Sequence, residues 1–267
     1  MGTDASLTYD GFTSPELAVR LGAPAFRCLP TVSSTLDVIH ELAAEGAPAG
    51  TIVVADEQVS GRGRYGRKWH SASSVGIWLG LLARPATRAG VGVLSPRVGL
   101  LTADALEALG LEVALKWPND VVVRDRKLAG ILCEARWLSD QVQWVAIGLG
   151  INVHGPLPSE LGNSACAVED FIAGITRVRV LEQLIPRLGT LSDAPALSDA
   201  ECAAFARRDW LIGRELVEPI KGRARGIDSD GALVVETPRG IEAVSGGTVQ
   251  LARGLWEDGG RVPRSST

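Results

Sequence analysis

Between two apolar stretches the chain reads Gly61-Arg62-Gly63-Arg64-Tyr65-Gly66-Arg67-Lys68-Trp69. Three glycines alternate here with four cationic side chains, although the whole chain carries a formal net charge of −4, so the positive charge is local. Glycine lets backbone N–H groups come close to a ligand, and the planar guanidinium of arginine binds carboxylates and phosphates. The stretch therefore predicts an anion-binding loop.

The segments around this loop predict strands. Residues 51–55 are β-branched and apolar, and residues 75–82 are mostly apolar, which is typical of a strand buried on both faces. Short strand-like segments follow between residues 112 and 149, with few helices between them. The pattern favours a mixed or antiparallel sheet.

Helical periodicity appears in four places. It begins after Ser34, which would form a capping box with Asp37, and again after Ser95, a suitable N-cap. It returns over residues 177–188 and 199–210. Together with the strands, these helices predict an α+β fold in which a mixed sheet is flanked by helices.

Composition limits the classes of function. The acidic net charge argues against a general nucleic-acid-binding protein. Three histidines and four scattered cysteines without a CxxC pair argue against a zinc site and favour reduced thiols in the cytoplasm. No secretory signal and no apolar run of membrane-spanning length is present, so we expect a cytoplasmic protein without a membrane partner.

The distribution of strand-like segments and turn residues along the chain predicts its domains. From residue 211 five short strand-like segments alternate with turn residues, which is typical of a small β-barrel. We therefore expect a main domain over residues 14–209 and a barrel over residues 210–252. Residues 1–13 predict a frayed terminus, and residues 253–267 predict a disordered tail.

A second polar cluster interrupts two apolar strand segments, and it reads Lys116-Trp117-Pro118-Asn119-Asp120. Proline disrupts strand pairing, so the cluster predicts a corner. If the strand after Asp120 turns tightly, the hairpin brings Lys127 beside this carboxylate. Such a pair is either a salt bridge at a turn or part of a site, and Gly130 and Asn119 nearby favour a site.

A third cluster ends an apolar strand and reads Gly148-Leu149-Gly150-Ile151-Asn152. Its glycines would admit a ligand or a neighbouring backbone. The glycines of the cationic loop formally match a dinucleotide-binding fingerprint, but no helical pattern follows them, and no P-loop is present. An arginine–glycine RNA-binding segment would normally lie in a low-complexity tail.

The three clusters, with Ser34-Thr35 and Gln58 ahead of them, resemble the biotin–protein ligase family in order and spacing. The resemblance runs from about Phe26 to Asn152 and continues through Asp209-x-Leu211-x-Gly213, residues 225–233 and Gly246-Gly247. It implies a mixed-sheet catalytic domain of the class II synthetase or biotinyl-lipoyl ligase type, over residues 14–209. An SH3-like barrel over residues 210–252 would follow.

The resemblance also implies a reaction in two halves. The carboxylate of biotin would attack the α-phosphorus of ATP, with Mg²⁺ on the phosphates, to give biotinyl-5′-AMP and pyrophosphate. A lysine of a biotin carboxyl carrier domain would then displace AMP. Cations must offset the repulsion between carboxylate and polyphosphate, and closure of the site must protect the adenylate from water.

Roles for individual residues follow from the same resemblance. Biotin would contact Ser34, Thr35, Gln58, Arg62, Gly63, Arg64, Trp69, Lys127, Gly130 and Ile131. ATP or its phosphates would contact Gly61, Arg62, Arg64, Arg67, Lys116, Asn119 and Asn152, and Asn152 would be the protein residue nearest the metal. Arg64, Lys127 and Asp120 would be catalytic, with Asp120 orienting or deprotonating the acceptor lysine.

The chain also departs from the family pattern. Leu36 stands where the family often has asparagine, and Tyr65 stands where a second basic residue is common. Phe171 is the aromatic candidate for stacking on adenine. Only 33 residues precede Ser34, which is too few for the three-helix DNA-binding domain of some members, so we expect no repressor activity and no DNA partner.

Two alternatives and one open question remain at this point. A lipoate or octanoate transferase would share the fold and the lysine target. A nucleic-acid-binding module built on the cationic loop would belong to another class. The sequence leaves a homodimer open, because the sheet edges can pair or stay single.

Overall fold

The computed structural model describes residues 8–252, and its main feature is a mixed sheet of seven strands. The strands lie side by side in the order β3-β4-β5-β9-β8-β7-β6. β3 and β4 are parallel, and every other neighbouring pair is antiparallel. The bounds of the first nine strands are β1 (Thr8–Tyr9), β2 (Phe12–Thr13), β3 (Phe26–Val32), β4 (Ile52–Gln58), β5 (Gly76–Ala83), β6 (Ala114–Lys116), β7 (Asp120–Val123), β8 (Arg126–Leu138) and β9 (Gln141–Asn152).

Helices cover both faces of this sheet, which confirms the predicted mixed sheet flanked by helices. One face packs on α2 through a small apolar cluster that includes Ile39, Val53 and Leu82. The other face contributes to the main core, together with α1, α4 and α5. The helices are α1 (Ser14–Arg20), α2 (Thr35–Ala44), α3 (Arg88–Gly92), α4 (Leu94–Glu107), α5 (Arg177–Leu188) and α6 (Asp199–Ala206). None of these helices is long and apolar enough to cross a bilayer.

The predicted start of α2 is correct, whereas α4 begins at Leu94, two residues before the start predicted from Ser95. Ser34 is the N-cap of α2, where its Oγ accepts from the N–H of Leu36 at 3.3 Å. Asp37 does not complete a capping box, because it accepts a hydrogen bond from Ser33 instead. Ser95 lies inside the first turn of α4 and donates to the carbonyl of Pro118 at 2.8 Å, so it ties the helix to the Trp-Pro-Asn corner.

The expectation that residues 1–13 fray is wrong for residues 8–13. β1 pairs with β2, and Tyr9 is 1% exposed. Asp10 in the turn binds Arg177 at the start of α5, with an Nη2–Oδ1 distance of 2.6 Å, and Asp56 holds the other side of the same guanidinium at 2.6 Å. Arg177 is buried, so this pair of carboxylates fixes the hairpin to the main domain.

The C-terminal part of the chain forms a second, antiparallel sheet of five strands. All five predicted strands are present: β10 (Glu215–Glu218), β11 (Gly222–Ile227), β12 (Leu233–Thr237), β13 (Gly240–Val244) and β14 (Gln250–Leu251). Their order is β13-β12-β11-β10-β14, and within residues 8–252 the two edge strands do not pair, so the expected barrel is not closed. The predicted disordered tail lies outside the described residues.

The two sheets are joined at the Trp-Pro-Asn corner. The indole N–H of Trp117 donates to the carbonyl of Gly231 at 2.9 Å. The backbone of Leu115 bonds to residues on both sides of Asp209, accepting from Trp210 and donating to Arg208. The C-terminal part of the chain therefore supports β6 and the corner that leads from it to Asn119 and Asp120.

Candidate active site

One cavity of about 790 Å³ lies at the centre of the seven-stranded sheet, between the N-terminus of α2, the cationic loop and residues 156–165. It brings together residues from all three sequence clusters. Of the predicted site residues, the cavity is lined by Ser34, Thr35, Gln58, Arg62, Gly63, Arg64, Arg67, Trp69, Asn119, Asp120, Lys127, Gly130, Ile131 and Asn152. Gly61 and Lys116 do not line it.

The polar end of the cavity is built by the start of α2 and the end of β4. The Oε1 of Gln58 accepts from the backbone N–H and the hydroxyl of Thr35, at 2.8 Å and 3.1 Å. The hydroxyl of Ser34 lies 3.4 Å from the same oxygen. A backbone N–H can only donate, so this contact fixes which end of the Gln58 amide faces Thr35.

Ser71 completes this arrangement, and sequence reasoning missed it. Its Oγ accepts from the Nε2 of Gln58 at 2.8 Å and lies 3.3 Å from the carbonyl of Trp69. The Ser71 residue is 5% exposed. No motif signals this role, because Ser71 follows the cationic loop in an otherwise irregular polar stretch.

The indole of Trp69 rests on two glycines of neighbouring strands. A Cβ added to Gly150 would lie 2.5 Å from Nε1 of Trp69, and one added to Gly130 would lie 2.9 Å from the ring. Any side chain at either glycine would displace the indole. The Nζ of Lys127 is 5.2 Å from the centroid of the Trp69 ring, within range of a cation–π contact.

The cationic loop is a closed turn. Its base is held by backbone hydrogen bonds from Trp69 to Gly61 at 2.9 Å and from Gly63 to Arg67 at 2.7 Å. At the tip, Tyr65 has φ +60°, a left-handed conformation that is uncommon outside glycine. Gly61 packs against the carbonyl of Trp69 inside the base, which explains why it does not reach the cavity.

Arg62 at the base of the loop is bound by two carboxylates. Its Nε and Nη2 donate to both oxygens of Glu134 at 2.7 Å and 2.8 Å, and its Nη1 lies 2.8 Å from Asp37. Hydrogen bonding to Glu134 raises the pKa of Arg62, and the same contact holds the pKa of Glu134 below its usual range. Glu134 is a second residue that sequence reasoning missed.

The other arginines of the loop lie near its tip. Arg64 donates to the side-chain oxygen of Asn119 at 3.4 Å and to the hydroxyl of Tyr65 at 3.1 Å, both of them neutral acceptors. The guanidinium carbons of Arg64 and Arg67 lie 5.0 Å and 5.8 Å from the centroid of the Tyr65 ring. Tyr65 therefore groups two cations at the mouth of the cavity.

The predicted hairpin places Asp120 beside Lys127, and their Oδ1 and Nζ atoms are 2.6 Å apart. Asp120 is 6% exposed, whereas 28% of the Lys127 side chain is exposed. Asn119 exchanges hydrogen bonds with the backbone of Ile131, so the corner is fixed to β8. Lys116 points elsewhere, and its buried Nζ lies 5.6 Å from the centroid of the Trp210 ring.

Two candidates remain, Asn152 and Phe171, and only the first lines the cavity. Asn152 is buried, and its amide nitrogen donates to the carbonyl of Cys166 at 3.1 Å. Phe171 does not line the cavity; its ring instead packs against the guanidinium groups of Arg124 and Arg126. Within residues 8–252 no group of three or more His, Cys, Asp or Glu side chains is placed to hold a metal ion.

Comparison with known proteins agrees with this geometry. Residues 28–152 match the Biotin/lipoate A/B protein ligase family, and residues 214–252 match the Biotin protein ligase C terminal domain. The chain is 35% identical to the bifunctional ligase/repressor BirA of Bacillus subtilis, over 82% of this chain and 72% of that protein. It is 33% identical to the biotin–[acetyl-CoA-carboxylase] ligase of Paracoccus denitrificans, over 75% of this chain and 90% of that protein.

Solved structures give the same result. The biotin protein ligase from Aquifex aeolicus in complex with biotin and ATP superposes with a TM-score of 0.68 at 27% identity, and the match covers 85% of this chain and 97% of that one. The fold and the site thus define a catalytic domain of the biotin/lipoate ligase class followed by a C-terminal domain of the biotin ligase type. The chain belongs to the biotin protein ligase family.

Proposed function

We propose that this protein is an ATP-dependent biotin–protein ligase, which makes biotinyl-5′-AMP and transfers biotin to a lysine of a carrier domain. The observation that carries the proposal is one cavity that joins a polar end, an indole on a glycine surface and several cationic side chains. Its volume of about 790 Å³ lies in the range usual for sites that enclose small-molecule ligands.

Biotin would occupy the part of the cavity near α2. Ser34, Thr35 and Gln58 supply hydroxyl and amide groups for its ureido ring, and Trp69 supplies the flat apolar surface for its bicyclic ring. The backbone of Gly130 and Ile131 lies along the same surface. Leu36 packs on Gly148, where a Cβ would be 3.1 Å from its Cγ, so an apolar contact takes the place of the family's usual amide.

Adenylation requires positive charge where two anions meet. The biotin carboxylate forms a bond to the α-phosphorus of ATP while the bond to pyrophosphate breaks, and negative charge grows on the phosphoryl oxygens. Lys127 lies over the Trp69 ring and Arg64 donates to Asn119, and both line the cavity, as does Arg67. Asn152 and Asn119 would lie beside the Mg²⁺ that accompanies ATP, and that ion would supply further positive charge to the phosphates.

Transfer requires an uncharged amine. The lysine of the acceptor domain attacks the acyl carbon of the adenylate, AMP leaves, and the amine loses a proton. Asp120 is the buried carboxylate of the cavity, and its contact with Lys127 orients that ammonium group during adenylation. We assign Asp120 to orienting Lys127 during adenylation, and to orienting the acceptor lysine or accepting its proton in the second half-reaction.

The parts of the chain that form the two large sheets would have different roles. We propose that residues 14–209 carry biotin and ATP and that residues 210–252 support the Asn119–Asp120 corner from outside. All four cysteines are free thiols, which suits an ATP-using enzyme of the reducing cytoplasm. The partner of the second half-reaction is a biotin carboxyl carrier domain.

The decisive experiment is transfer of labelled biotin to a biotin carboxyl carrier domain in the presence of ATP and Mg²⁺. We expect label on the acceptor lysine, and none when ATP is omitted. Lipoate or octanoate in place of biotin tests the related activity. Transfer of lipoate without transfer of biotin would overturn the proposal.

A further inference from the structure

The base of the cationic loop is joined to a network of polar side chains on the face of the sheet that α2 and Trp69 cover. Arg62 binds both oxygens of Glu134 on β8 and one oxygen of Asp37 on α2. All three guanidinium nitrogens are therefore engaged by carboxylates. Because two negative charges surround this single positive charge, Arg62 offers no net positive charge to an anionic ligand.

Glu134 is held from its other side as well. Its Oε2 lies 3.2 Å from the Nε2 of His40, and the Nδ1 of His40 accepts from the indole N–H of Trp144 at 2.9 Å. An indole nitrogen can only donate, so Nδ1 carries no proton and Nε2 is the donor to Glu134. The carboxylate of Glu134 thus has three donors in fixed directions.

These hydrogen bonds could affect the loop because Arg62 lies at its base. Arg62 pairs through the backbone with Lys68, next to the hydrogen bonds that close the base of the loop. Arg64, two residues on, has only neutral acceptors and faces the cavity. The two arginines therefore have different tasks, although they look equivalent in the sequence.

We propose that Glu134 is a positioning residue for adenylate formation and retention, which acts through Arg62 by fixing the base of the loop while Arg64 at its tip contacts the ligand. The proposal rests on the proposed function above. It assigns Arg62 to the loop's attachment, and it leaves charge neutralisation to Arg64, Arg67 and Lys127. His40 and Trp144 keep Glu134 in the orientation that the bidentate contact needs.

Glu134→Ala tests the proposal, with Glu107→Ala as its matched control. Glu107 also binds an arginine with both oxygens, at 2.7 Å and 2.6 Å to Arg208. Neither of the two glutamates lines the cavity. The first measurement is hydrogen exchange at the amides of Gly63 and Trp69 in the ligand-free protein. We expect about tenfold faster exchange in Glu134→Ala and no change in Glu107→Ala.

The second measurement is the rate at which biotinyl-AMP leaves the enzyme. We expect about tenfold faster escape in Glu134→Ala, an equal effect in Glu134→Gln, and no further increase when Arg62→Ala is added. Wild-type exchange rates in Glu134→Ala would overturn the positioning role, and so would an additive double variant. If the wild-type protein makes no biotinyl-AMP, the proposed function fails, whereas the exchange result still decides whether Glu134 fixes the loop.

Discussion

The indole of Trp69 lies so close to Gly150 that a single added carbon would touch it, with 2.5 Å between that carbon and Nε1. Trp69 comes from a loop, whereas Gly150 belongs to β9 at the centre of the sheet. The contact therefore places a loop residue on rigid backbone. The flat apolar surface that we assign to biotin depends on this contact between Trp69 and Gly150.

Gly150→Ala should displace the indole and weaken biotin binding about 5- to 150-fold, because overpacking a tight contact costs about 1–3 kcal/mol. Isothermal titration with biotin measures this, and tryptophan fluorescence reports the displaced ring. Gly246→Ala is the control, since a Cβ there would meet open space. Unchanged affinity in Gly150→Ala would show that Trp69 does not line the bound ligand.

Arg64→Gly should leave the fold intact and let biotinyl-AMP escape, because Arg64 is a loop-tip cation whose partners in the protein are neutral. Loss of one charge-assisted contact predicts about ten- to hundredfold faster release. Retention on a filter after adenylation measures the effect. Arg239→Gly, a change at an exposed turn of the C-terminal sheet, should retain the intermediate as the wild type does.

Lys127→Ala should reduce adenylation by about 10²–10³-fold, the usual effect of removing one group that stabilises transition-state charge. Biotin-dependent exchange of pyrophosphate into ATP measures this step alone. The variant should also lose stability, because Asp120 stays buried without its cation. Normal exchange in Lys127→Ala would exclude Lys127 from the first half-reaction.

Ser71→Ala should weaken biotin binding without changing the residues that contact biotin. The change leaves Nε2 of Gln58 without its acceptor, so the amide loses the orientation that Thr35 and Ser71 impose together. An unsatisfied buried donor costs about 1–3 kcal/mol. Ser198→Ala removes a helix cap far from the cavity, so it should lower the melting temperature without affecting the biotin affinity.

Asp209 should make stability depend on pH. Burial raises its pKa to about 6 from an ordinary value of 3.8, so the folded protein keeps a proton that the unfolded chain releases. The contribution of this group to the free energy of unfolding therefore falls as pH rises from about 4 to about 6, by up to roughly 3 kcal/mol. Asp209→Asn should flatten that part of the stability–pH curve, and urea unfolding at pH 4.5 and 7.5 measures it.

Local patterns predicted the strands and the main helices, whereas the resemblance to a family supplied most of the residues that line the cavity. Alternation and turn residues are short-range signals, so the five strands after Leu211 were correctly located before their pairing was known. The ion pair between Asp120 and Lys127 followed from a tight hairpin, which is also local. Closure of the barrel was not confirmed, because it depends on contacts between edge strands.

The sequence did not predict contacts between side chains that lie far apart along the chain. Arg62 meets Glu134 across 72 residues, and Asp10 meets Arg177 across 167. Nothing in the spacing of the loop separates Arg62 from Arg64, so both were expected to bind the ligand. Lys116 was expected near phosphate for the same reason, whereas the fold turns it towards Trp210.

The attachment of the first strand pair has a practical consequence for anyone who shortens or tags this enzyme. Arg177 is 3% exposed and shares its charge between Asp10 and Asp56. Trimming through Gly11 would leave one carboxylate for an interior guanidinium and uncover the pocket that Tyr9 fills. Such a truncated protein would be recovered in poor yield, even though every residue assigned to catalysis would still be present.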